Sequence, residues 1–157
     1  MDNAKLVEMA AQAREFSCAE ISNFRVGAAL LTKSGKVFLG CNIEDPSGIG
    51  VTNVCGERCA MVKALSEGHR DFEKIAVVGG VDELIFCTPC GVCRQYLNTF
   101  CPQIKIVCGY EDASGTAATK NAGSSGVNQS GEAAQPALAY REFELCELLP
   151  HSFSEKF

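Results

Sequence analysis

Residues 75–108 read IAVVGGVDELIFCTPCGVCRQYLNTFCPQIKIVC, and their order decides the fold class. Lys74 to Gly79 is an apolar run of strand length, and Leu84 to Cys87 is a second strand or an extended lead-in. Thr88-Pro89 then opens a helix, with a hydroxyl N-cap followed by proline at the first helical position. Cys93, Tyr96, Leu97 and Phe100 recur at helical spacing along it, and Ile104 to Cys108 returns as a buried strand. Strand, helix and strand in this order predict an α/β sandwich.

Upstream, residues 3–16 read as an amphipathic helix with Leu6, Met9, Ala10, Ala13 and Phe16 inward. Phe24 to Leu31, the turn Lys33 to Lys36, and Val37 to Asn42 form a hairpin signal, which makes the sheet mixed. Residues 45–50 are a loop rich in turn formers. A second helix is expected from about Val54 to Glu67, stopped by Gly68, with Cys55, Cys59, Val62 and Leu65 inward. Downstream, Leu138 to Phe143 reads as an edge strand and Leu145 to Leu149 as a turn of helix. Between them, residues 111–137 hold Val127 as their one large apolar side chain. Such a stretch buries too little surface to offset its ordering entropy, so it reads as a surface insertion or lid. Residues 1–157 otherwise suit a single domain.

A net charge of -5 argues against a protein whose affinity rests on phosphate contacts, so no nucleic-acid partner is expected. No apolar run approaches the roughly 20 residues that span a bilayer, and Met1 to Lys5 lacks a signal peptide's basic start and apolar block. The ten cysteines would suit a disulfide scaffold, but nothing directs secretion, and a reduced, cytoplasmic protein is expected.

Two segments carry chemistry: Cys55-Gly56-Glu57-Arg58, and Cys90 with Cys93. Cys90 and Cys93 are three apart and share a helix face. With Cys55 they supply three thiols, the number a catalytic zinc uses when it keeps one position for water. Glu57 stands two residues after Cys55, off that ligand's face, where it can shuttle protons; a glutamate there without a cluster would be an ordinary first-turn residue. Arg58 is placed either to offset thiolate charge or as a solvated helix residue. Cys59 or Cys87 as a fourth ligand would close the site and make it structural. Asn42 and Glu44, two apart at a strand end, can together bind sugar hydroxyls; Phe24 reads from spacing as core.

Taken together, Ser22 to Leu30, Gly40 to Glu44, Cys55 to Arg58, Pro89 to Gln95, Glu147 to Pro150 and Phe153 resemble the small three-cysteine cytidine deaminases. The resemblance implies an α/β/α sandwich on a mixed five-stranded sheet, one Zn2+ per chain, and a homotetramer with active sites at subunit interfaces. It implies Cys55, Cys90 and Cys93 as ligands, Glu57 as proton shuttle and Arg58 as donor to the ligand thiolates. It also implies Asn42 and Glu44 on the ribose, Phe24 against the ring, Gly56 contacting the base through its backbone, and Phe153 on a neighbouring subunit's substrate. Gly56 stands where the family usually has alanine, and loop 45–50 lacks an aromatic often found there. The implied activity is hydrolysis of cytidine or deoxycytidine to the uridine nucleoside and ammonia in pyrimidine salvage. The rivals are a blasticidin-S-type deaminase, a nucleic-acid cytosine deaminase, and a non-catalytic zinc-stabilised module.

Overall fold

The computed structural model describes residues 1–112 and 138–153. The expected insertion therefore lies, from residue 113 on, outside the described residues. The elements run α1 (Asn3–Arg14), β1 (Arg25–Thr32), β2 (Val37–Cys41), α2 (Gly56–Ser66), β3 (Phe72–Gly80), α3 (Gly91–Phe100), β4 (Lys105–Glu111), β5 (Leu138–Glu144) and α4 (Leu145–Leu148). The strands form one sheet in the order β2-β1-β3-β4-β5. Only β3 and β4 pair in parallel among these neighbours, because α3 carries the chain back between them; the rest are antiparallel.

Alternation along the central strands builds both cores. Leu30, Ile75, Val77 and Ile106 face Ala60 and Met61 of α2 and Leu97 of α3. Their neighbours Ala29, Leu31, Ala76, Val78 and Val107 face Leu6, Val7 and Ala10 of α1. The result is the expected α/β/α sandwich on a mixed sheet. Among the described residues, no helix is long and apolar enough to cross a membrane.

Two local expectations are corrected, and one left open is decided. The first helix ends at Arg14, and Phe16 is 78% exposed rather than inward. Arg14 itself is buried, because its guanidinium donates to the carbonyls of Arg25, Gly80, Val81 and Asp82. In α2 the buried face is Gly56, Glu57, Ala60, Met61 and Ala64, whereas Val62 is half exposed. That face turns inward because β2 approaches it closely: a Cβ on Gly40 would stand 2.3 Å from the Gly56 carbonyl oxygen. Lastly, Leu84 to Cys87 is a lead-in and not a strand, tied to the sheet by the bridge Gly79↔Ile85.

Candidate metal centre and active site

Cys55 and Cys90 each occupy the N-cap of a helix, α2 and α3 respectively, in extended backbone conformation. This moves the start of α3 two residues beyond the expected Thr88 cap. Their carbonyls accept the first helical bonds from Cys59 and Arg94, both at 2.9 Å, while neither thiol caps its own helix. Both sulfurs are thus left at the positive ends of two helix dipoles, which favour thiolate. Cys93 sits in the first turn of α3 and is buried.

The three Sγ atoms lie within 4.8 Å of one another, and those of Cys55 and Cys90 are 3.7 Å apart. Thiolates bound tetrahedrally at a Zn–S distance of about 2.3 Å stand about 3.8 Å apart, so the donor set fits zinc. Neither Cys59 nor Cys87 joins the cluster among the described residues. Cys59 is instead half-buried beside Leu39, Cys41 and Lys63. Among the described residues three donors converge, the number a zinc would use if it kept one position for an outside ligand.

Electrostatics point to a cation as well. The Cys55 thiol is pulled down to about 5, first by its hydrogen bond with Cys93 and then by those with Cys90 and Arg58. Cys93 is pushed far up, first by the same hydrogen bond with Cys55 and then by burial. One thiolate therefore suppresses the next, and a divalent cation at the centre relieves that repulsion. Arg58 donates to the Asn53 carbonyl at 2.7 Å and interacts with Cys55, yet its buried Nε has no hydrogen-bond partner. A buried orphan donor beside three thiols fits acceptors that carry negative charge.

Glu57, 4% exposed, lies among these groups. Burial raises its carboxyl to about 7, and the neighbouring Cys55 adds to the effect. A carboxyl near neutrality can both take and return a proton.

Phe24, Asn42 and Glu44 form a second constellation around loop 17–24. Asn42 lies just past β2, with Oδ1 accepting from Ser17 Oγ (2.5 Å) and Val26 N (2.7 Å), while Nδ2 donates to the Phe24 carbonyl (2.9 Å). Glu44 accepts from the amides of Ile21 and Ser22 and from Ser22 Oγ, at 2.9, 3.1 and 2.5 Å. Ser17 and Ser22 were not singled out from sequence; a serine's long-range partner leaves no local pattern. Gly56 connects the two constellations, since a Cβ there would touch Val26 and Cys41 at 3.4 Å.

Arg94 clamps the loop that leads into Cys90. It donates to the Pro89 carbonyl (2.6 Å), Thr88 Oγ1 (2.7 Å) and the Leu148 carbonyl (2.6 Å). Phe153 follows on the same tail, 70% exposed, with its carbonyl held by Gln95 and Asn98.

Residues 1–110 match the family described as the cytidine and deoxycytidylate deaminase zinc-binding region. A cytidine deaminase from Halalkalibacterium halodurans is 49% identical over 102 residues, 65% of this chain and 74% of the relative. A blasticidin-S deaminase from Bacillus cereus is more distant, 35% identical over 94 residues, 56% of this chain and 66% of the relative. The crystal structure of cytidine deaminase from Burkholderia pseudomallei superposes with a TM-score of 0.71 at 35% identity, over 98% of this chain and all of that one. The thiol cluster and the match across both of its segments agree: the chain belongs to the cytidine and deoxycytidylate deaminase family, and zinc is its metal.

Proposed function

We propose that this chain hydrolyses cytidine or deoxycytidine to the uridine nucleoside and ammonia. The observation that carries this reading is the buried Glu57 carboxyl, raised to about 7, beside three converging thiols. Cys55, Cys90 and Cys93 hold the zinc, one ion per chain. When bound, zinc acts as a Lewis acid that lets water ionise near neutral pH.

Glu57 takes a proton from the attacking water as its oxygen bonds to ring carbon 4. It returns that proton to the ring nitrogen, then carries the second proton to the amino group, which leaves as ammonia while the carbonyl forms. Arg58 balances the thiolate charge. Phe24 lies against the ring, and the backbone at Gly56 meets the base. Asn42 and Glu44 take the ribose: the Asn42 amide has a second N–H beyond its bond to Phe24, and the Glu44 carboxylate keeps acceptor capacity beyond Ser22. That sugar pair, with the greater distance of the blasticidin-S relative, favours cytidine or deoxycytidine over blasticidin S.

The whole chain acts as one domain in a cytoplasmic salvage reaction, as a homotetramer in which Phe153 covers a neighbour's substrate. The exposure of Phe153, and of Ile49 and Val51 at 57% and 86%, supports packing against further copies. Ultraviolet loss of cytidine, measured with and without prior zinc chelation, tests the reading. Turnover that persists at equal rate after complete zinc removal would overturn it.

A further inference from the structure

The roles above leave Cys87 without a task, yet its surroundings are specific. The lead-in that carries it is fixed to β3 by a hydrogen bond from Ile85 N to the Gly79 carbonyl at 2.9 Å. Gly79 has no side chain, and the point its Cβ would occupy lies 2.8 Å from Phe24 Cε1 and 3.1 Å from Cys87 Sγ. Ring edge and sulfur crowd over one backbone position, which puts them within about 6 Å of each other, the range of sulfur–aromatic contact. Cys87 is also near enough to Glu57 for that carboxyl to oppose its ionisation. Burial first, and Glu57 second, push the thiol up to about 11, so it stays neutral and packs as a small hydrophobe. It is nonetheless only half-buried.

We infer that Cys87 touches the pyrimidine and sets the width of the base pocket, a specificity-determining residue between the Phe24 ring and the Glu57 carboxyl. The inference rests on the deaminase reading, because the ring must lie against Phe24 with its reacting carbon in reach of Glu57. Cys87 borders that interval. Gly79 completes the device, since any side chain there would displace both Phe24 and Cys87.

Two measurements on the zinc-loaded protein test it. Uridine, the expected product, should slow labelling of Cys87 by methyl methanethiosulfonate in proportion to its occupancy. The label is localised by mass spectrometry, with the exposed Cys146 of α4 as an unaffected control. Cys87→Leu, which narrows the pocket, should keep one zinc per chain and raise KM for cytidine by about tenfold or more, with kcat changed far less. Unprotected Cys87 together with a parental KM in Cys87→Leu would overturn the inference while cytidine turnover by the parent upholds the deaminase reading. A zinc-loaded parent that does not turn over cytidine would overturn that reading, and the inference with it.

Discussion

Cys55 Sγ lies 3.7 Å from Cys90 Sγ, and each residue is the N-cap of its own helix. Two helix ends that would otherwise expose unpaired N–H groups thus meet around one charge-dense point. A zinc held by these thiols would join α2 to α3, so its removal would cost stability as well as activity. At free zinc 1,000-fold above its Kd the bound ion contributes about 4 kcal/mol, or about 10 °C in a chain of this size. Chelation should therefore abolish turnover and lower the melting temperature by about that amount, with both restored by added Zn2+. Calorimetry alongside the ultraviolet assay checks both.

Glu57→Gln keeps the size of the side chain but cannot carry a proton. It should retain one zinc per chain while kcat falls by about 10³, with a smaller change in KM. Metal analysis and steady-state kinetics decide this; near-parental kcat would remove Glu57 from the mechanism.

The same substitution has a signature in zinc-free protein. Burial raises the Glu57 carboxyl from its ordinary 4.5 to about 7. The folded state then holds a proton that the unfolded state has released. Stability contributed by that proton is fully present below about pH 4.5 and is lost as pH rises through 7. The loss is on the order of 3 kcal/mol. Cys55, whose thiol is pulled down to about 5, works in the opposite direction over the same window, stabilising the fold as pH rises. In urea unfolding of chelated protein at pH 4.5 and pH 8, the parent should therefore lose stability relative to Glu57→Gln, and an equal pH dependence in the two would remove the buried proton.

The thiol cluster was legible because its information is local, a spacing of three between Cys90 and Cys93 and a glutamate two residues after Cys55, whereas the cap at Cys90 was not, since Thr88-Pro89 carries the stronger local cap signal. The sheet was legible for the same reason, since Ala28 to Leu31 and Ile75 to Val78 are unbroken apolar runs of strand length, although which residue faces which layer is not written there. What failed depended on distant partners. Val62 is apolar and misdirected the face of α2, while Gly56 and Ala60 lie where the β2 backbone at Gly40 comes close, which favours small residues. Arg14 ended the apolar stripe of α1 early because its buried guanidinium serves four carbonyls that lie 11 to 68 residues away in sequence. Ser17 and Ser22 serve the loop only through Asn42 and Glu44.

Asn42 should accordingly matter to both stability and substrate. Asn42→Ala strands the Val26 amide and the Phe24 carbonyl, both partners of the lost side chain. Leaving partly buried groups unpaired costs about 1–3 kcal/mol. KM for cytidine should rise as well, since the loop carrying Phe24 loosens and the proposed sugar contact goes. Denaturant unfolding and kinetics measure the two effects separately. A variant with the parent's stability would show that the three hydrogen bonds are exchanged for water without loss.

Gly56 offers the opposite case, a position open to improvement. It is the first residue of α2, where glycine carries more unfolded-chain entropy than alanine. Its backbone is not in the left-handed region that would demand glycine. A Cβ there would meet Cys41 Cα, Cys41 C and Val26 Cγ1 at 3.4 Å, at the near edge of ordinary van der Waals contact. Nothing needs to move, and the methyl gains contact. Gly56→Ala should therefore stabilise the fold by about 0.4–1 kcal/mol, raising the melting temperature by about 1–4 °C with one zinc still bound. A lower melting temperature would mean that β2 and α2 pack at Cys41 too closely to admit the methyl, and that this chain's glycine is required by that contact.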